Sequence, residues 1–169
     1  MPEFSEFAAR ERAGWADGSI VENYVEKFGP VTDEVGAELV RRVCSPDARV
    51  LDLCTGQGNV AAMAVAAGAD VTGLDFSVIV LEQATRAAPS ATFHQGDAAD
   101  LPFGDGAFDG IICNFGMMHL PDQPQALKEV FRVLRPGGTF AMATWDAPQR
   151  SPAFGLFFGA LREMLELSL

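Results

Sequence analysis

The sequence has few cationic side chains, and this limits the partners that it can bind. Its 169 residues carry 12 lysines and arginines against 23 acids, which gives a formal net charge of -11. Lys27 and Lys128 are the only lysines. Because a phosphate backbone or an anionic membrane surface would be repelled by this charge, we expect neither nucleic acid nor a membrane as a partner.

The sequence also lacks a disulfide framework and a long apolar run. Its three cysteines, Cys44, Cys54 and Cys113, form no C-x-x-C pair and each lies in or beside an apolar segment, which predicts buried thiols in a reducing compartment. The first residues show neither the basic stretch nor the apolar core of a secretion signal. The longest uncharged stretch, 53–69, is interrupted by glycines and too short to span a bilayer. We therefore expect a cytoplasmic protein.

Short apolar segments alternate with helical segments along most of the chain. With 49% hydrophobic residues the chain can bury the core of one domain. Strands are predicted at 48–54, 70–76, 91–95, 108–115 and 138–145. Helices are predicted at 59–68, at 77–88 with Ser77 as N-cap, and at 125–134, where "RPGG" ends the helix. This alternation predicts an α/β fold: a Rossmann-like, doubly wound parallel sheet of about five strands flanked by helices.

The expected single domain divides into three parts. Residues 1–47 are predicted as a helical cap and a first helix on the sheet, 48–150 as the ligand-binding α/β core, and 151–169 as an amphipathic C-terminal helix. The first sheet-packing helix has an apolar face, formed by Val31, Val35, Leu39, Val40 and Val43.

A glycine turn follows the first predicted strand, in "VLDLCTGQGNV". Gly56, Gly58 and Ala61 match the spacing G-x-G-x-x-A, and Asp75 follows nineteen residues after Gly56. Such a turn lets a ligand approach the backbone, and an acid at the end of the second strand can accept hydrogen bonds from ribose hydroxyls. This pattern fits any adenosine-containing ligand, so a nicotinamide-dependent oxidoreductase is one interpretation.

Two further acids favour a different ligand. Asp52, at the end of the first strand, would repel a pyrophosphate but attract the ammonium or sulfonium of a methionine moiety. The alternative is that Asp52 only caps its own turn. Asp97, just past the third strand, could accept a hydrogen bond from an adenine amino group. Together these acids favour S-adenosylmethionine over a dinucleotide.

The segments "VLDLCTGQGNV", "QGDAADLPF", "FDGIICNFGMMHL" and "LRPGGTFAMATW" resemble the class I S-adenosylmethionine-dependent methyltransferases, in their ubiquinone and menaquinone biosynthesis branch. The resemblance extends from Trp15 to Pro152. It implies S-adenosylmethionine as donor, S-adenosylhomocysteine as product, a small-molecule acceptor and no metal site. The donor-binding residues that it implies are Asp52, Cys54, Thr55, Gly56, Gly58, Asp75, Phe76, Asp97, Ala98 and Asn114.

The resemblance also implies a role for each part of this set. Asp52 and the backbone carbonyl of Asn114 would lie near the donor's amino group, and the backbone from Thr55 to Gly58 would wrap its methionine part. Asp75 would hold the ribose hydroxyls. The adenine slot would have Phe76 as its apolar wall, with Asp97 and Ala98 at its polar edge.

The sequence departs from the family pattern in two places. Cys54 stands where D-x-G-x-G-x-G has its first glycine, and a small thiol can replace that glycine if φ is negative. The family sheet normally has two further strands, the last antiparallel, and no strand pair is predicted after Trp145. The sheet is therefore expected to end in an open edge at 138–145.

Two side chains are candidates for acting on the acceptor. His119, just beyond the fourth strand, is the candidate base, and a pocket-shaping role is the alternative. His94 is less well placed. Tyr24 lies in the part that resembles the family's cap, although packing is an equal alternative. Trp15, Met117 and Met118 are expected to pack, and Asp105 and Asp109 to lie in a solvated turn.

Three functions remain open on the sequence. The first is methyl transfer by in-line displacement to a small apolar or aromatic acceptor. The second is the nicotinamide-dependent oxidoreductase. The third is a shortened chain that binds the donor weakly or not at all and self-associates through the open sheet edge or the C-terminal helix.

Overall fold

Five parallel strands form one sheet in the order β3-β2-β1-β4-β5. The computed structural model describes residues 2–147, 150–152, 155–156 and 159–160, with side chains from residue 5 onward. The strands are β1 (Arg49–Leu53), β2 (Asp70–Asp75), β3 (Thr92–Gln95), β4 (Phe108–Asn114) and β5 (Leu134–Ala143). The predicted α/β fold is confirmed, and the strand order reverses beside β1, where ligands bind in such sheets.

Helices cover both faces of this sheet. They are α1 (Pro2–Trp15), α2 (Gly18–Val43), α3 (Asn59–Ala66), α4 (Val78–Ala87) and α5 (Gln123–Val133), and a 3₁₀ turn spans Met117–His119. α2 and α3 pack around Val50 and Ile112 on one face. α5 packs around Leu51, Leu53 and Ile111 on the other. Because successive strand residues point to opposite faces, Asp52 extends to the same face as Val50.

β5 begins four residues earlier than the sequence predicts. Phe108 of β4 pairs with Leu134 of β5, and Gly110 pairs with Thr139. Only Asp109 separates the two pairs on β4, whereas the "RPGG" segment separates them on β5, so this segment forms a bulge within the strand. Asp109 stands opposite this bulge, accepts a hydrogen bond from the Arg49 backbone N–H and pairs with the Arg135 guanidinium. These hydrogen bonds, that of the Arg49 N–H above all, lower the pKa of Asp109 to about 2. The expectation of a solvated turn at Asp109 is therefore wrong.

The buried face of α2 is rotated relative to the predicted one. Val31 is 50% exposed, whereas Thr32, Gly36, Leu39 and Val40 are buried. Gly36 explains the rotation, because a Cβ atom there would lie 3.0 Å from Val60 Cγ2 and 3.3 Å from Asn114 Nδ2. α2 therefore packs against α3 and β4 with Gly36 at the point of close approach.

Ser77 precedes α4 as predicted, but its side chain does not cap that helix. Its hydroxyl donates to the backbone carbonyl of Trp15 at 2.8 Å instead. This bond joins the end of α1 to the turn after β2.

The outer edge of β5 has no strand partner among the described residues. Self-association through this edge stays a prediction. The helix predicted at 151–169 lies for the most part outside the described residues. In the part of the chain that the structure describes, none of the helices combines the length and the apolar character needed to cross a membrane.

Candidate functional site

The turn after β1 is held against the end of β2. The Thr55 N–H donates to the Leu74 carbonyl at 3.0 Å, and the Gly58 N–H donates to the Thr55 carbonyl at 3.0 Å. Three residues in this turn have left-handed backbone, namely Cys54, Gly56 and Gly58, with φ of 59°, 54° and 87°. The left-handed geometry turns the chain sharply from β1 into α3 and leaves the turn backbone facing the carboxyl ends of the strands.

Cys54 occupies the glycine position with the backbone geometry of a glycine. A negative φ was the condition under which a thiol could readily replace that glycine, and Cys54 does not meet it. A left-handed conformation costs a non-glycine residue about 1 kcal/mol or more. The side chain packs where Gly116 leaves room and lies beside Cys113. Its hydrogen bond with the Cys113 thiol, followed by burial, raises the pKa of Cys54 well above its ordinary value, so the thiol is neutral.

Asp52 is a carboxyl group in an apolar interior. It is 1% exposed, and the Thr55 hydroxyl donates to its Oδ2 at 2.6 Å. Burial raises the pKa of Asp52 to about 7, although the hydrogen bonds from Thr55 and from the Ala61 backbone oppose the shift. A cationic ligand would stabilise the ionised form and offset its desolvation.

Asp75, the last residue of β2, accepts two backbone hydrogen bonds. The Gly56 N–H and the Ser77 N–H donate to its two carboxylate oxygens, each at 3.0 Å. Burial raises the pKa of Asp75, while these bonds and the nearby His119 oppose the rise. Since each oxygen of a carboxylate has a second lone pair, Asp75 can also accept from a pair of vicinal hydroxyls.

Asn114, the last residue of β4, carries a buried oxygen atom without a partner. Its Nδ2 donates to the Thr32 carbonyl at 2.9 Å, while its Oδ1 is buried and accepts no hydrogen bond from any described residue. An unsatisfied buried acceptor is costly, typically by about 1–3 kcal/mol. A ligand that donates a hydrogen bond there would remove this cost.

One cavity brings most of the predicted site residues together. The empty space in it, counting the part open to solvent, is about 1100 Å³. The predicted residues that line it are Asp52, Cys54, Thr55, Gly56, Asp75, Phe76, Asp97, Ala98, Asn114, His119 and Tyr24. Gly58 is not among its lining residues; a Cβ atom there would lie 2.7 Å from Ala84 Cα. His94 lies outside the cavity, against the ring of Phe103.

Residues of α1 line one side of this cavity. The sequence predicted a helical cap in this part of the chain, but not which of its side chains line the cavity. Trp15, expected only to pack, lines the cavity, with its ring 5.2 Å from that of Tyr24 and 5.3 Å from that of His119. Glu11 and Arg12 of the same helix also line it. No local pattern links Glu11 to His119, 108 residues away. Only the folded chain reveals this contact.

The polar groups of the cavity suit a ligand with a cation at one end and vicinal hydroxyls further along. Asp52 and Asn114 Oδ1 could take an ammonium group, and Asp75 could take the hydroxyls. Phe76 and Ala98 add apolar lining, and Asp97, whose side chain is half exposed, lines the same cavity. These are the groups of the methyl donor that the sequence resemblance implies.

Comparisons with known proteins agree with this geometry. Residues 50–138 match a family described as a methyltransferase domain. A demethylmenaquinone methyltransferase of Renibacterium salmoninarum is 38% identical over 122 residues, covering 72% of this chain and 48% of that protein. One from Thermus thermophilus is 41% identical over 116 residues, covering 65% and 52%. Among solved structures, the YcgJ protein of Bacillus subtilis is 30% identical with a TM-score of 0.63, covering 76% of this chain and 58% of that one.

These matches favour the methyl donor over the nicotinamide interpretation of the glycine turn. The chain spans about half the length of the named relatives that it matches. The matched segment includes the whole turn after β1 and the three acids Asp52, Asp75 and Asp97. The chain belongs to the class I S-adenosylmethionine-dependent methyltransferases.

Proposed function

We propose that this chain binds S-adenosylmethionine in the cavity at the ends of β1, β2 and β4, and that its methyl group passes to a small apolar or aromatic acceptor. The observation that carries the proposal is that the buried carboxyl groups of Asp52 and Asp75 and the residue Asn114, whose Oδ1 is buried without a partner, all line one cavity. Family membership supports the identity of the donor.

The proposed assignment gives each residue one task. Asp52 and Asn114 hold the donor's amino group, Asp75 its ribose hydroxyls, and Phe76 with Ala98 and Asp97 its adenine. The bound donor supplies the methyl group. Since methyl transfer is an in-line displacement, the protein mainly has to keep the two reactants close and aligned.

The other end of the cavity supports an apolar or aromatic acceptor. Trp15, Tyr24 and His119 line the cavity, and the Trp15 ring lies 5.2 Å from that of Tyr24 and 5.3 Å from that of His119. Flat, apolar rings pack well against such side chains. The relatives named demethylmenaquinone methyltransferase support a quinone-type acceptor.

Calorimetry with S-adenosylhomocysteine tests the donor site. We expect a dissociation constant on the order of micromolar, a range in which one nucleoside-sized ligand is readily measured. Asp75→Ala should abolish the binding, since it removes the acceptor for the ribose. Asp70→Ala is the matched control, because Asp70 is the exposed acid at the opposite end of β2. Absence of heat with the unmodified protein would contradict the proposed donor site.

Transfer of a labelled methyl group from S-adenosylmethionine to reduced demethylmenaquinone tests the acceptor. We expect label in the quinone fraction with the unmodified protein and with Asp70→Ala, and none with Asp75→Ala. Donor binding without transfer would keep the donor assignment and reject this acceptor.

A further inference from the structure

Glu11 on α1 reaches into the cavity and contacts His119. Its Oε2 lies 2.7 Å from His119 Nδ1 and 3.3 Å from the indole Nε1 of Trp15. The Glu11 and His119 side chains are only 24% and 29% exposed, so solvent competes weakly for this contact. The contact joins the N-terminal helix to the turn after β4.

The two partners of Oε2 decide where the proton of the neutral imidazole lies. An indole N–H can only donate, so Trp15 requires Oε2 to be an acceptor. A carboxylate oxygen that accepts from Trp15 also accepts from His119, which places the hydrogen on Nδ1. In the neutral ring Nε2 then carries the free lone pair, and it makes no hydrogen bond to a described residue.

We propose that Glu11 is a positioning residue that holds His119 as the Nδ1–H tautomer, with Nε2 as the base that takes a proton from the acceptor. This inference rests on the proposed methyl transfer and narrows its acceptor class. The acceptor loses a proton as it is methylated, so it carries a removable hydrogen on oxygen, nitrogen or an activated carbon. Groups without such a proton, such as tertiary amines, are excluded.

The acceptor's O–H, N–H or activated C–H bond breaks and its proton moves to His119 Nε2, while an electron pair on that acceptor atom forms the new bond to the methyl carbon. The bond between that carbon and the donor sulfur breaks, and its electron pair stays on the sulfur. The imidazolium that results lies against the Glu11 carboxylate, which stabilises it.

The imidazole ¹⁵N chemical shifts of His119 at alkaline pH test the positioning role. The chain has two histidines, so His94→Asn assigns the signals. We expect the unmodified protein to show hydrogen on Nδ1, and Glu11→Ala to lose this preference. Glu6→Ala, an exposed acid on the same helix, should leave the shifts unchanged. A ring protonated on Nε2 in the unmodified protein, or one indifferent to Glu11→Ala, would overturn the inference.

Two further measurements separate this inference from the proposed function. S-adenosylhomocysteine should bind Glu11→Ala within about twofold of the unmodified protein, because Glu11 is not assigned to the donor. With reduced demethylmenaquinone as the acceptor, the kcat of Glu11→Ala should be lower than that of the unmodified protein by about tenfold or more, while its KM for S-adenosylmethionine stays within about twofold. An unchanged kcat would overturn the inference. If the unmodified protein does not bind S-adenosylhomocysteine, the proposed function is rejected instead, whichever nitrogen of His119 carries the hydrogen.

Glu11→Gln covers the case in which the alanine variant loses the packing of α1. Glutamine keeps the size of the side chain and an oxygen that can accept from Nδ1–H, but it removes the negative charge. We expect it to retain the tautomer and to lower kcat, since the imidazolium is no longer stabilised. Full activity of Glu11→Gln would show that the charge has no role.

Discussion

Gly116 lies directly against Cys54, where the turns that follow β1 and β4 meet. A Cβ atom added to Gly116 would lie 3.0 Å from Cys54 Sγ and 3.1 Å from Cys113 Sγ, and closer still to Cys54 Cβ. The missing side chain at Gly116 is what lets a cysteine occupy the glycine position of the turn after β1.

We therefore expect Gly116→Ala to lower the free energy of unfolding by about 2 kcal/mol or more, because the new methyl group overpacks this contact. Adding Cys54→Gly should recover at least about 1 kcal/mol, since it removes the opposing side chain and the left-handed strain. Chemical denaturation of the two single variants and the double variant measures this coupling. Gly104→Ala, where a Cβ atom meets nothing within 4 Å, is the control. Additive effects would contradict the contact.

Asp52 should make the protein less stable as the pH rises. Its pKa is 3.8 unfolded and about 7 folded, so the folded state binds more protons between these values. The stabilisation that protonated Asp52 contributes is fully present below pH 3.8 and is lost as the pH rises to about 7. The loss is roughly 4 kcal/mol at 1.36 kcal/mol per pKa unit. Urea denaturation from pH 4 to pH 8 should show this decline in the unmodified protein, whereas Asp52→Asn should lack its share. Parallel curves for the two proteins would contradict it.

The same carboxyl predicts proton release when the donor binds. With a pKa of about 7 for Asp52, a cationic ligand at pH 7 should displace about half a proton, and almost none at pH 9. Calorimetry of S-adenosylhomocysteine in two buffers with different ionisation enthalpies measures this number. Asp52→Asn is the control and should release correspondingly less. Equal release by both proteins would mean that Asp52 does not meet the ligand's cation.

Gly56 and Gly58, the two glycines of the turn after β1, should respond differently to substitution by alanine. Gly58→Ala should cost about 2–4 kcal/mol, because the new Cβ would lie 2.7 Å from Ala84 Cα as well as requiring left-handed backbone. Gly56→Ala should cost about 1 kcal/mol, since nothing lies within 4 Å of its Cβ. The loss of affinity for S-adenosylhomocysteine should be larger for Gly56→Ala than for Gly58→Ala, because Gly56 lines the cavity and Gly58 does not. Thermal denaturation and calorimetry check both orders, and a larger loss of affinity in Gly58→Ala would contradict the assignment.

Much of the fold could be predicted because its signals are local. Short apolar segments separated by helical ones predicted the succession of strands and helices along the chain. Asp52, Asp75 and Asn114 were found at strand ends because parallel strands end at one edge of a sheet. β5 was predicted too short, since the bulge opposite Asp109 depends on pairing with β4. The left-handed φ of Cys54 could not be predicted, since it depends on the space at Gly116.

The sequence by itself determined the α/β class, the position of the glycine turn and the acids around it, because hydrophobic periodicity and turn residues act over a few neighbouring positions. Only the tertiary structure decided which face of α2 is buried, that Asn114 Oδ1 is left without a partner, and that Glu11 meets His119. Each of these depends on contacts between residues far apart in the chain. Such contacts depend on how helices and strands pack against one another, and local sequence patterns do not predict them.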